Sequence, residues 1–181
     1  MISLRSEITK KILNFFFLNP DETLYVNELS RNLNLDKRNL VKKIKELETD
    51  GILIHHIRGN LKLYSIDKTF PLYQEYRKII LKTIGFEEQL RKSLKEVKGI
   101  KEAYIYGSYA RDNMDAGSDI DLLVVGKESL LELQKRVNKI QKEIGREINL
   151  VNMDEAEFRR RVKEKEPFIS GLFKQQYIRL I

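Results

Sequence analysis

The sequence contains no cysteine, which excludes disulfide bridges and thiolate metal sites and fits a reducing, cytoplasmic setting. It has two histidines, and they are adjacent, His55 and His56. On a strand neighbouring residues face opposite ways, so the two cannot easily share one ion, and a zinc centre is not expected. They read as packing or DNA-side residues. Long apolar runs are also missing: the run from Ile12 to Leu18 is broken by Asn14 and is too short to cross a bilayer. Charges of mixed sign precede it and no small-residue cleavage site follows, so neither a signal peptide nor a membrane partner is expected. There is no internal repeat and no low-complexity stretch.

What is present suffices for one ordinary domain or two small ones: 181 residues, 41% of them hydrophobic. The net charge of +7 permits a polyanionic partner without requiring one. The excess is spread over both halves but is locally dense at residues 36–45, DKRNLVKKIK, with five basic groups and one acid.

The nine glycines fall at element boundaries and guide the parse. Residues 3–17 read as a helix with Leu4, Ile8, Ile12 and Phe15 or Phe16 on one face. Asn19-Pro20-Asp21 ends it. Residues 27–33 read as a short helix, Asn34 as a turn, and Asp36 as the N-cap of a helix over 37–49 that closes at Gly51. Residues 52–66 are β-rich around Gly59-Asn60, a hairpin signal. On the 37–49 helix, Leu40, Val41, Ile44 and Leu47 share an apolar arc of roughly 120°. Arg38, Lys42 and Lys45 lie on the other side, flanked by Asn39 and Lys43. Such a face suits a major groove: Arg can pair with guanine, Asn with adenine, and Lys can contact phosphate. The hairpin tip adds Arg58, Asn60 and Lys62, within reach of the backbone or minor groove. NELSRNLNLDKRNLVKKIKELETDGIL resembles the winged helix-turn-helix family of prokaryotic regulators, and that resemblance implies double-stranded DNA as a partner.

Residues 69–97 read as two helices broken near Gly85. They are candidates for a homodimer contact, because palindromic half-sites match two-fold symmetry. Strands at 103–106, 119–125 and 147–152 follow, with helices at 129–144, at 154–165 and after Pro167. The basic run 159–165 is surrounded by acids and reads as a solvated helix face.

The densest chemistry lies in residues 106–125, YGSYARDNMDAGSDIDLLVV. Asp119 and Asp121 are two apart, so on a strand they project from one face. Two carboxylates that close repel each other and favour a bound divalent cation, usually Mg²⁺. Gly107 before Ser108 lets backbone approach a ligand, and a helix start there offers N–H groups to a phosphate. GSYAR followed by GSDIDLLVV resembles the nucleotidyltransferase superfamily that includes DNA polymerase beta, and within it the minimal nucleotidyltransferases of prokaryotes. The resemblance covers about residues 100–152. It implies that Gly107 and Ser108 grip the triphosphate of an NTP (ATP is the first candidate) and that Asp119 and Asp121 hold Mg²⁺. Arg111 could neutralise phosphate charge or pair with an acid such as Asp112. Active relatives place a third acid on the next strand, where this chain has Asn149. Glu147, two residues earlier, has the reach to substitute as a catalytic carboxylate.

The sequence therefore implies an α/β (α+β) chain in two modules. Residues 1–68 form a winged helix, 69–97 a helical linker, and 98–181 a polymerase-beta-like nucleotidyltransferase domain with a mixed sheet flanked by helices. Three functions are open. One is an enzyme that transfers NMP from an NTP to a hydroxyl acceptor. Another is a transcriptional regulator whose degenerate transferase domain senses nucleotide. The last is an antitoxin-like partner, since minimal nucleotidyltransferases resemble components of such pairs.

Overall fold

The computed structural model describes residues 4–115 and 117–181, so residue 3, where the first helix was expected to begin, lies outside it. The chain divides into two compact units, one of residues up to Glu88 together with Lys142–Gly145, the other of Gln89–Gln141 and Arg146–Ile181.

In the first unit, helix α1 (Glu7–Leu18) is capped by Ser6, whose hydroxyl accepts from the Thr9 amide at 3.3 Å. Its apolar surface is not the single stripe the spacing predicts. From Ile12 to Leu18 every residue is buried, Asn14 included, and helix α4 (Tyr73–Thr83) packs there, with Phe17 against Tyr73 at 5.6 Å between ring centroids. A helix covered on several sides needs no polar face, which is why three consecutive phenylalanines are accommodated.

Between these helices run β1 (Leu24–Tyr25), α2 (Val26–Leu33), α3 (Lys37–Thr49), β2 (Leu53–Arg58) and β3 (Leu61–Ile66). Asn34 takes the left-handed conformation, φ 49°, and the Asp36 carboxylate accepts from the Asn39 amide at 3.0 Å to start α3. Leu40, Ile44 and Leu47 are buried, while Val41 is only partly so. The hairpin β2–β3 is joined by β1, giving an antiparallel sheet of order β1-β3-β2. Strand β1 was not expected; two residues carry no periodicity, and only their pairing with Leu63 and Tyr64 makes them a strand. This is the architecture of a winged helix.

The second unit contains β4 (Ile100–Tyr106), α6 (Gly107–Ala110), β5 (Ile120–Gly126), β6 (Ile148–Met153), α8 (Glu155–Lys163), α9 (Pro167–Lys174) and β7 (Ile178–Arg179). Helices α5 (Phe86–Lys95) and α7 (Leu130–Ile144) each run across the division between the units. The sheet is mixed, of order β6-β5-β4-β7: β4 pairs antiparallel with β5 and β7, whereas β5 and β6 are parallel, joined through α7. Leu122 to Val125 are all fully buried, as befits a central strand covered on both faces. Tyr104, Leu123, Val125 and Met153 form a core with Ile169 and Leu172 of α9. Strand limits differ from expectation: β4 begins at Ile100 rather than 103, β5 at Ile120 and β6 at Ile148, so Asp119 and Glu147 each stand one residue ahead of a strand. Strand β7, after the last helix, was also not expected. Among the described residues no helix is long and apolar enough to cross a membrane.

Candidate functional site

Strand β4 ends at Tyr106, which pairs with Asp121 in the antiparallel ladder. The chain then turns at Gly107, φ +73°, a conformation that favours glycine. A Cβ at Gly107 would lie 2.0 Å from Asp121 Oδ2, so only glycine allows this backbone to lie against this carboxylate. Ser108 follows in α6, partly buried, and its carbonyl accepts from the Asn113 amide at 3.0 Å.

Asp119 precedes β5 and Asp121 is its second residue. The parallel register sets Asn149 beside Asp121. The Asn149 amide Nδ2 donates to Asp119 Oδ2 at 3.3 Å and to Asp121 Oδ1 at 3.4 Å, so one amide bridges both carboxylates. Burial raises the Asp121 pKa above the usual carboxylate range, and the Asp119 charge adds to this; the Asn149 hydrogen bond and Arg111 act in the opposite sense. Beside it Tyr106 is pushed up to about 12, by burial first and then by the Asp121 charge, so its phenol stays protonated at neutral pH.

The donor set fits Mg²⁺. That ion is bound through one or two carboxylates and completed by waters and substrate phosphates, and Asp119 with Asp121 provides such a pair, under the electrostatic strain that a cation relieves. Glu147 is not gathered with them. It is exposed, its carbonyl accepts from the Ile120 amide at 3.0 Å, and among the described residues no three His, Cys, Asp or Glu side chains cluster as a metal site.

One further residue shapes the site and has no motif to announce it. The buried Arg146 donates to the carbonyls of Asp115 at 3.0 Å and Ser118 at 2.7 Å. It thus fixes the loop that delivers Asp119, with help from the Asp115 carboxylate, which accepts from the Gly117 amide and the Ser118 hydroxyl. Arg111 is exposed, and its guanidinium donates to the Gln175 side chain. Arg111, Gly107, Tyr106 and Asp121 line an open cavity of about 240 Å³, with residues of α9 and the two glutamines after it, Gln175 and Gln176, supplying the rest of its wall.

In the winged-helix unit, Arg38, Asn39, Lys42 and Lys45 are exposed on α3, and Arg58 is exposed on β2. Two of the expected contacts are engaged elsewhere. Lys43 pairs with Glu46 at 2.6 Å, and Lys62 pairs with Glu48 at 3.1 Å while lying over the Tyr64 ring. His55 bonds the same Glu48 through Nδ1, and its pairing with Tyr64 beside His56 with Leu63 puts the two histidines on opposite faces. The hairpin also exposes Ile57 and Leu61. In the basic run on α8, Arg159 pairs with Glu155 and Arg161 with Glu157 along the same helix.

Several known proteins are similar to this chain. A candidate protein adenylyltransferase of Methanocaldococcus jannaschii is 40% identical over 55 residues, which is 29% of this chain; the chain spans 59% of that relative's length. Among solved structures, a toxin–antitoxin crystallised with AMP-PNP shares 17% identity with TM-score 0.39, over 52% of this chain and 72% of the other. A candidate transcriptional regulator from Methanosarcina mazei shares 21% identity with TM-score 0.34, over 50% of this chain and 78% of the other. Residues 87–170, which hold every residue of the carboxylate site, match the nucleotidyltransferase domain family.

Proposed function

We propose that this chain transfers a nucleoside monophosphate from an NTP to a hydroxyl acceptor at the Asp119–Asp121 site, and that its winged helix binds double-stranded DNA. The observation that carries the first half is the fit of the Gly107 backbone against Asp121, 2.0 Å being all the room a Cβ would have.

Asp119 and Asp121 would hold Mg²⁺, which when bound screens the charge of the phosphates and favours attack at the α-phosphorus. Gly107 and Ser108 present backbone N–H groups and a hydroxyl to the triphosphate. Arg111, exposed at the cavity, exchanges its bond to Gln175 for a phosphate oxygen. Asn149 cannot take the acceptor's proton, because an amide is not a base near neutral pH. The same amide favours a second reading, a regulator that binds nucleotide without turning it over.

For DNA, the exposed Arg38, Asn39, Lys42 and Lys45 of α3 would enter the major groove, with Arg58 at the phosphate backbone. A homodimer would present two such helices to a palindromic site. The first half is tested by titrating NTP into the protein with Mg²⁺ and with EDTA. Binding that needs the metal and is lost in Asp119→Asn, together with release of pyrophosphate, supports it; metal-independent binding, binding without pyrophosphate release, or no binding overturns it.

A further inference from the structure

We propose that the α9 wall of the cavity is a nucleobase subsite that favours purines. This rests on the transferase reading, since it assigns the remaining wall of the same cavity. Phe168, Gly171 and Leu172 stand at i, i+3 and i+4 of that helix, and Gln175 is its C-cap in extended backbone; all four line the cavity, so one helical stripe and the residues that end it face it. The stripe is apolar except at its end, where Gln175 and Gln176 add amides.

Gly171 is the informative member. A glycine within a helix costs about 1 kcal/mol relative to alanine, and packing here gives no reason for it. A Cβ at Gly171 would meet no atom within 4 Å, and the backbone is not left-handed. What the glycine provides is access: a flat ring can lie against the helix backbone only where no side chain projects. Phe168 is held for stacking by Tyr106, edge-on at 5.6 Å between centroids. An amide offers one donor and one acceptor side by side, the pattern that matches a base edge. The volume, about 240 Å³, is below the range of roughly 300–1,000 Å³ that encloses a whole drug-sized ligand, so the cavity takes one ring system. The ribose and phosphates then extend toward Arg111 and Asp121. A fused purine covers more of Phe168 and Leu172 than a single pyrimidine ring, and stacking sets the preference.

The test uses the full chain with Mg²⁺, titrated with ATP, GTP, CTP, UTP and inorganic tripolyphosphate, beside Gly171→Leu. Leucine fits the open space and favours a helix, so this variant folds while filling the cavity. At least one purine triphosphate should bind about tenfold more tightly than the pyrimidines and tripolyphosphate. Gly171→Leu should bring that purine down to the tripolyphosphate level and leave tripolyphosphate within about twofold. Phe168→Leu, which keeps apolar volume but removes the ring, should weaken purines alone. Equal affinity for all four nucleotides and tripolyphosphate, or purine binding untouched by Gly171→Leu, overturns the subsite but leaves the transferase reading standing. Binding of neither nucleotide nor tripolyphosphate overturns both.

Discussion

Asn149 stands beside Asp121 in the parallel β5–β6 ladder, its amide nitrogen 3.4 Å from Asp121 Oδ1 and 3.3 Å from Asp119 Oδ2. The amide shares its hydrogens between two like charges, easing a repulsion that a third acid would intensify. Asn149→Asp should therefore bind Mg²⁺ about tenfold more tightly, and lower metal-free stability by roughly 1 kcal/mol. Calorimetric titration of Mg²⁺ and thermal unfolding in EDTA check the two effects. Unchanged metal affinity would mean that the carboxylate pair is not a cation site.

Asp121 has the opposite consequence for stability. Its folded pKa lies above its unfolded value because burial and Asp119 oppose its charge. The folded state therefore holds this proton more tightly, and stability falls as pH rises from the ordinary carboxylate value through the raised one. Above that window the full penalty is present. Asp121→Asn removes it, so the variant should melt higher than the parent at pH 7 in EDTA, with the difference shrinking as pH drops into the carboxylate range. A variant that melts lower at pH 7 would show that the carboxylate supports the fold.

Arg146 holds the loop before Asp119 through the carbonyls of Asp115 and Ser118. Arg146→Ala leaves both without this donor and should cost about 2–3 kcal/mol, as loss of charge-assisted bonds does. As a positioning residue it should raise the Kd for Mg²⁺–NTP by more than the stability loss explains, measured well below the melting temperature. Both carbonyls are bonded by the one nitrogen Nη1, and a lysine ammonium on its shorter stem should rescue only in part. Unaltered nucleotide affinity would restrict Arg146 to a structural role.

These relationships mark the limit of what the sequence discloses. Asp36, Asn34, Gly51 and the 3.6-residue spacing of Leu40, Ile44 and Leu47 act within a few residues, so the helices of the winged module are legible from local chemistry. Gly107, Ser108, Asp119 and Asp121 are legible because a motif fixes their spacing. The contact of Asn149 with both aspartates depends on the register of two parallel strands separated by a helix, and nothing local encodes register. The same holds for Arg146, whose partners lie 28 and 31 residues away. Strands β1 and β7 consist of two residues each, too short for any period, and exist through their partners alone. Lys43 and Lys62 look like free cations in a basic run; only their surroundings reveal Glu46 and Glu48.

That last difference sorts the DNA contacts. Arg38, Lys42 and Lys45 are exposed on α3, and each phosphate contact removed should reduce the slope of log affinity against log salt by about 0.9. Lys42→Ala and Lys45→Ala should show that loss in a mobility-shift series over salt. Lys43→Ala and Lys62→Ala should show less, because each ammonium is already paired. Equal effects from all four would place the interface elsewhere, and no shift at low salt would end the DNA-binding proposal.

The central claim is that Asp119 and Asp121 carry nucleotidyl transfer. Its most direct measurement is incubation of the full chain with Mg²⁺ and α-labelled NTPs, counting both label fixed to an acceptor and pyrophosphate released, with Asp119→Asn alongside. The account predicts covalent label and pyrophosphate in equal amounts, both abolished in Asp119→Asn. Tight Mg²⁺-dependent nucleotide binding with neither product would contradict it and leave a nucleotide-sensing module in its place.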